Sequence, residues 1–382
     1  FAQELTIAYI FLTFMGSILA GSVVLILYRL PALRSENKIQ SFLSRESAFL
    51  FNNLIFLGAA FAVMWGTMFP LIAEGVTGQP VSVGPPFFNK VNIPIGLVLL
   101  ALTGIGPVIA WRKASKRNLQ RNFTAPVVLA LVTAAVLFFM NARHPLAMAT
   151  WSLGVFVLYI VAVEFWKGTK ARARIEGEGL PRAFYHLVTR NRRRWGGYTV
   201  HVGMVLMFMG FAGSAYNVDV RQHMLPGDVV EVDSPYGHTY TLTYEGLSMS
   251  AGRGQRNLAW EWVALVSVEK DGKPVGNLTP MKRQYVTAEN LMTEVDIRST
   301  PLEDLYIILA ALDDLNGALS EQANDQGVDL QILVKPLVGW IWWGTLILAG
   351  GSLVAMWPSV ERRKAPAEAR NEESVPSAAA GD

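Results

Sequence analysis

Cysteine is missing from all 382 residues. Its absence excludes disulfides, thiolate metal sites, cysteine nucleophiles and cysteine-held iron–sulfur clusters within the chain, so any thiol chemistry belongs to a partner. Charge is scarce too. Only 16% of residues are charged against 52% hydrophobic, too little for an ordinary soluble domain. No Walker motif, Rossmann fingerprint or H-E-x-x-H signature occurs, so nucleotide and zinc-protease chemistry have no support. The formal net charge is only +3, and no nucleic-acid partner is expected. There is no internal repeat of fixed period. No initiator methionine and no signal pattern open the chain at Phe1, which reads as the cut or processed edge of something longer.

What is present is a set of long apolar runs. A helix needs about 20 mostly apolar residues to cross the ~30 Å hydrocarbon core. Seven segments qualify: Leu5 to Leu27, Ala48 to Ile72, Val91 to Trp111, Pro126 to Met140, Leu146 to Trp166, Gly197 to Tyr216 and Leu337 to Trp357. The fourth is short. Basic residues collect in alternate loops: Arg29, Arg34, Lys38 and Arg45 after the first span, then Arg112, Lys113, Lys116, Arg117 and Arg121 after the third. The loop after the fifth runs from Lys167 to Arg194, and the tail carries Arg362, Arg363 and Lys364. Positively charged loops stay inside, which predicts an external Phe1 edge and a cytoplasmic C-terminus. Leu180 to Arg194 has helical spacing and a basic face, and is expected along the inner membrane surface.

The fold class expected is therefore an α-helical polytopic membrane protein with one water-soluble domain, small and mainly antiparallel β, between the last two helices. Four regions follow: a six-helix membrane domain over 1–216, an external β-rich domain over 217–335, a final span over 336–357 and a disordered tail over 358–382. In the external domain nine Lys/Arg face eighteen Asp/Glu, leaving it nine charges negative. LAWEWVALVSV (Leu258 to Val268), HTYTLTYEGLSM and VDLQILV read as strands, with a turn at Asp271-Gly272, and EDLYIILAAL as a strand or short helix. In GQPVSVGPPFFNKVNIP, Pro85-Pro86 is expected to hold the chain extended and resist helix. Phe87 and Phe88 there suit either an interfacial anchor or a docking surface. Trp340, Trp342 and Trp343 read as an aromatic belt.

The candidate site residue is His201, an imidazole inside the sixth span, about 6 Å in from its cytoplasmic end. Gly197, Tyr198, Met204, Val205 and Phe208 share its helical face, and no carboxylate of that helix can pair with it. Two readings stand. The ring hydrogen-bonds a neighbouring helix, or it is an axial ligand to haem iron on an apolar wall. His144, His186, His223 and His238 have no ligand-like spacing and read as surface or structural groups. No catalytic acid or base is assigned.

Four blocks carry a family resemblance. MWGTMFPLIAEGVTGQPVSVGPPFFNKVNIPIG (Met64 to Gly96) resembles the outer-loop region of the CcmF/NrfE cytochrome c-type biogenesis proteins, the haem lyase subunits of bacterial cytochrome c maturation. NRRRWGGYTVHVG (Asn191 to Gly203), MTEVDIRSTPLEDLYIIL (Met292 to Leu309) and KPLVGWIWWG (Lys335 to Gly344) resemble three further blocks in the same order. The resemblance runs from about Phe1 to Trp357. It implies that His201, in its GGYxxHxG setting, is one of two membrane histidines holding a haem b, and thus an iron ligand and cofactor-binding residue. It implies that the second axial ligand lies outside this chain, as does the Trp-rich WWD segment with its outer histidines, on an N-terminal portion or a split partner subunit. It further implies residence in the bacterial inner membrane with 217–335 periplasmic. The implied partners are membrane lipid, a haem-carrying chaperone, and apocytochrome c with its thiol-presenting proteins, whose C-x-x-C-H thiols receive haem. A haem or small-molecule transporter and a non-catalytic scaffold for apocytochrome c are the rival functions.

Overall fold

The computed structural model describes residues 5–33, 41, 44–109, 115–251, 257–287, 290–313 and 325–358. Phe1, the basic residues Arg34, Lys38, Arg112, Lys113, Arg362, Arg363 and Lys364, and the tail from 359 lie outside them. The membrane part comprises α1 (Leu5–Leu33), α2 (Arg45–Thr77), α3 (Pro85–Val108), α4 (Lys116–Phe139), α5 (Pro145–Glu176), α6 (Leu180–Arg190), α7 (Arg192–Gly213) and α8 (Val338–Met356). Seven of them, all but α6, are long and apolar enough to span a membrane. The chain is a multi-pass membrane protein.

Local chemistry sets the helix ends. Ser44 and Ser115 accept the backbone N–H groups of Ser47 and Asn118 to open α2 and α4. Gly78 and Gly177 close α2 and α5 in the left-handed conformation, with φ of 67° and 65°. Two expectations fail here. Pro85 and Pro86 begin α3 instead of resisting it, because the first helical turn leaves its N–H groups unbonded and tolerates proline's fixed φ. The fourth span is not short: helix propagates from Lys116 through ten residues of polar lead-in before the apolar run begins. Phe87 and Phe88 are half-buried and press their rings over Gly66 of α2, where a Cβ would come within 2.6 Å. They join α2 to α3. The expected basic helix also divides at Asn191, whose side chain accepts the Arg194 N–H and starts α7 afresh.

The buried centre of the bundle is Leu100 from α3, Phe156, Val157, Ile160 and Val161 from α5, and Trp195, Tyr198 and Val205 from α7. Closest packing is between α7 and α8. Gly196, Gly203 and Gly210 recur every seven residues on α7; Gly196 and Gly203 face Gly351 and Gly344 of α8 backbone to backbone, and Gly210 receives Ile341. A Cβ on Gly203 would stand 2.5 Å from the Gly344 carbonyl oxygen and the Leu348 nitrogen. Gly203→Leu is accordingly expected to push the helices apart, destabilising the chain by about 1–3 kcal/mol. Gly58→Leu, at a glycine with nothing within 4 Å, is expected to be neutral. Melting temperatures of the two variants in detergent check the contrast, and equal values would contradict it.

Between α7 and α8 lies a β-sandwich. A 3₁₀ turn, Ser214–Tyr216, leads into β1 (Val218–Met224), β2 (Val229–Asp233), β3 (Thr239–Ala251), β4 (Leu258–Lys270), β5 (Lys273–Leu278), β6 (Met281–Tyr285), β7 (Met292–Glu294), β8 (Asp296–Ser299), β9 (Glu303–Leu312) and β10 (Val328–Pro336). One sheet has the order β1-β10-β9-β8. The other runs β2-β3-β4-β6-β7 with β5 also on β4, and all pairs are antiparallel. EDLYIILAAL is strand, not helix, because alternate residues Leu305, Ile307 and Leu309 enter the core while Tyr306 and Ile308 do not. Trp262, Tyr240, Leu242, Leu330 and Ile332 complete that core, each such side chain contributing about 1.5–3 kcal/mol by burial. The turn at Asp271-Gly272 has positive φ at both residues, 50° and 72°, as the two-residue hairpin from β4 to β5 demands.

The sandwich is fastened to α8 at a corner. Leu337 takes a φ of 59°, rare for a branched side chain, and its N–H donates to the Leu302 carbonyl at 2.7 Å. One turn on, the Trp340 indole N–H donates to the Pro301 carbonyl at 3.1 Å. Trp342 and Trp343 are exposed.

Candidate cofactor site

The start of α7 gathers three kinds of group on one stretch: the guanidinium of Arg194, the aromatic pair Trp195 and Tyr198, and the imidazole of His201. Trp195 is wedged between Phe165, at 4.8 Å between ring centroids, and Gly168, where a Cβ would meet its ring at 2.7 Å. That contact fixes the rotation of α7 against α5. With Trp195 and Val205 turned into the bundle, Gly197, Tyr198 and His201 are left facing a cleft toward α2 and α3. The expected apolar face is thus divided: Val205 packs on Gly154 of α5 and Phe208 reaches Gly96 of α3, while Gly197, Tyr198 and His201 line the cleft.

The cleft has a volume of about 480 Å³ and is bounded by Arg45, Ala48, Phe49 and Asn52 of α2, and by Leu102, Thr103, Gly106 and Pro107 of α3. Arg194, Gly197, Tyr198 and His201 of α7 close it. The starts of α2 and α7 and the end of α3 place it at the end of the bundle away from the sandwich. Arg194 donates to Glu164 at 2.9 Å and lies over the Trp195 and Tyr198 rings at 5.0 and 5.6 Å. Arg45 donates through Nε to the Gly106 carbonyl at 2.9 Å, and through Nη2 to that of Pro107. The sequence registered both arginines only as charge in basic loops. Their convergence on the histidine depends on how α2 and α7 approach, which no local pattern encodes.

Among the described residues His201 Nδ1 is buried with no hydrogen-bond partner. A buried polar atom left so costs about 1–3 kcal/mol, which counts against a histidine that merely bonds a neighbouring helix. An orphaned imidazole on an open cavity, with nothing within 4 Å of the Gly197 Cβ position, suits a planar iron-bearing ligand. Among the described residues lining this cleft His201 is the sole imidazole, and none is methionine.

The other histidines are engaged elsewhere. His144 caps α5 and meets Tyr216 edge-on at 6.3 Å. His186 lies 2.9 Å from Glu178. Burial raises the Glu178 carboxyl, but His186 and Arg172 outweigh it and hold the group below its ordinary range. His223 bonds Asp329 at 3.0 Å, a contact that raises its imidazole above the usual range with help from Asp313. His238 lies 2.5 Å from Glu303, which is only 2% exposed. Around that carboxylate Tyr240 donates at 2.8 Å and Ser234 at 2.5 Å, with Lys270 at 3.8 Å. Tyr236, above the same cluster, is pushed up to about 12 by burial and then by the Glu303 charge. The sequence reading missed this cluster; its members lie on three strands and the turn between β2 and β3. Among the described residues no group of three or more His, Asp or Glu is placed to hold a metal ion.

Residues 215–336 match the family model for the CcmF C-terminal beta-sandwich. The chain is 28% identical over 365 residues to the cytochrome c-type biogenesis protein CcmF of Pseudomonas aeruginosa, covering 93% of this chain and 50% of the relative. It is 28% identical over 375 residues to CcmF of Escherichia coli K12, covering 96% and 52%. The cytochrome c-type biogenesis protein ccl1 of Rhodobacter capsulatus is 31% identical over 352 residues, with 90% and 48% covered. This chain belongs to the CcmF family. A solved structure of the cytochrome c haem lyase CcmF superposes with a TM-score of 0.64 and 24% identity, over 83% of this chain and 46% of that one, which shows the shared fold. The chain spans about half the length of the relatives it matches.

Proposed function

We propose that this chain is the C-terminal part of a cytochrome c haem lyase and holds a haem b in the membrane through His201. The observation that carries the reading is the buried Nδ1, unpartnered among the described residues, of an imidazole on an open cavity, in a chain of the CcmF family. A bound haem would supply one-electron redox chemistry to a lyase that keeps iron ferrous and thiols reduced. The chain's own part is placement. Trp195 and the glycine contacts with α8 hold α7, Gly197 leaves room beside the ring, and Ala48, Phe49, Leu102 and Pro107 supply apolar surface opposite. The second axial ligand would come from outside these residues, on a WWD-bearing N-terminal portion or a separate subunit.

In this reading the basic loops lie in the cytoplasm of a bacterial inner membrane and the acidic sandwich lies in the periplasm. There it stands beside apocytochrome c, its thiol-presenting proteins and a haem-carrying chaperone. The absence of cysteine agrees with a lyase acting on another protein's thiols. The intact membrane complex is expected to show a low-spin b-type spectrum at one haem for each copy of this chain. A colourless complex would leave a scaffold instead, and vesicle uptake without stoichiometric haem would indicate a transporter.

A further inference from the structure

We infer that Arg194 and Arg45 form a carboxylate clamp, binding the acid side chains on one edge of the tetrapyrrole that His201 holds; the inference rests on the haem-site reading above. Arg194 precedes His201 by seven residues, two helical turns, so it lies on the same face about 10 Å nearer the end of the bundle. A ring ligated at its central iron carries its acid groups on one edge, displaced from the iron in the ring plane. A guanidinium two turns along the same helix would be placed to meet that edge. Both arginines line the cleft with His201, Arg45 from α2 and Arg194 from α7.

The two side chains are already held. Glu164 at 2.9 Å and the faces of Trp195 and Tyr198 steady Arg194, and the Gly106 and Pro107 carbonyls steady Arg45. A planar guanidinium fixed by one neighbour loses little further freedom when it grips a carboxylate. Glu164 engages Nη2 of Arg194, and the fork of that guanidinium carries further N–H donors on the rim. A rim of this kind favours a ligand with acid groups over the same ligand with those groups masked, and it orients the ring with its acid edge away from the sandwich.

The discriminating experiment titrates the chain, in its membrane complex and stripped of bound haem, with ferric haem and with haem dimethyl ester, following the Soret band. The ester is expected to bind at least about tenfold more weakly, the scale of a charge-assisted hydrogen bond. Arg194→Gln should weaken haem by about tenfold and the ester hardly at all, because the two changes delete the same contact. Should that variant fail to accumulate, Arg45→Gln gives the same comparison from α2. Equal affinity for acid and ester in the unaltered chain, or a substitution that weakens both alike, would overturn the clamp while leaving the haem site standing. If neither compound binds the unaltered chain, the site reading itself falls, and the clamp with it.

Discussion

His201→Ala is expected to abolish the b-type absorbance of this site while the chain still inserts and folds. The two halves of that expectation come from different observations. Haem loss follows from removing the sole imidazole among the described residues that line the cleft. Retained folding follows because α7 is held by other contacts, the ring's recorded neighbour being Tyr198 of the same helix at 6.4 Å between centroids. The helix is located by Trp195 against Phe165 and Gly168, and by Gly196, Gly203 and Gly210 against α8. The stability of the haem-free variant is expected to stay within about 1 kcal/mol of its parent or to rise slightly, since the substitution deletes a buried polar atom that had no partner among the described residues. A histidine whose role was to bond a neighbouring helix would behave oppositely, costing roughly 1 kcal/mol on removal and leaving bound haem unchanged. Absorbance per mole of purified protein, paired with a melting curve of the haem-free forms, separates the two. Unaltered haem content would end the assignment.

Much of the architecture is legible in the amino-acid order because membrane spans and half-buried strands write themselves as periodicity. Seven apolar runs need only local counting, whereas EDLYIILAAL is a continuous apolar run whose strand character shows only in its alternating burial. The errors fall where a local rule has two outcomes. Proline opposes helix inside one and favours it at the first turn, so Pro85-Pro86 points either way until Gly84 is known to cap α3. Polar residues such as Lys116 to Asn122 end an apolar run without ending the helix, so α4 begins well before its hydrophobic part. At the site, the sequence isolates His201 because an ionisable group in a span is conspicuous, but Arg45 lies 156 positions away in another helix. Only the approach of α2 and α7 brings them to one cavity. The Glu303 cluster is likewise invisible to any window of sequence, since Ser234, His238, Tyr240, Lys270 and Glu303 meet across both sheets.

That cluster gives the second large effect. Glu303→Leu is expected to destabilise the sandwich by about 3–5 kcal/mol, the scale of breaking a buried ion pair from one side. The carboxylate is 2% exposed and accepts from Tyr240 and Ser234, with the His238 ring 2.5 Å away. A leucine fills the volume and strands three polar groups at once. The damage should extend beyond the strands. Glu303 begins β9 immediately after Leu302 and Pro301, whose carbonyls hold Leu337 and Trp340 at the corner into α8. Loosening that corner frees the sandwich from the helix pair that carries His201. Glu303→Gln keeps one acceptor oxygen of similar shape and is expected to lose less. Hydrogen exchange of β3, β9 and β10 in the full chain reads the effect directly: protection should fall steeply for Leu and partly for Gln, with the α5 amides unchanged. Equal protection in the Leu variant and its parent would show that the buried carboxylate does not hold the two sheets together, and a matching loss in α5 would show that sandwich and bundle unfold as one unit.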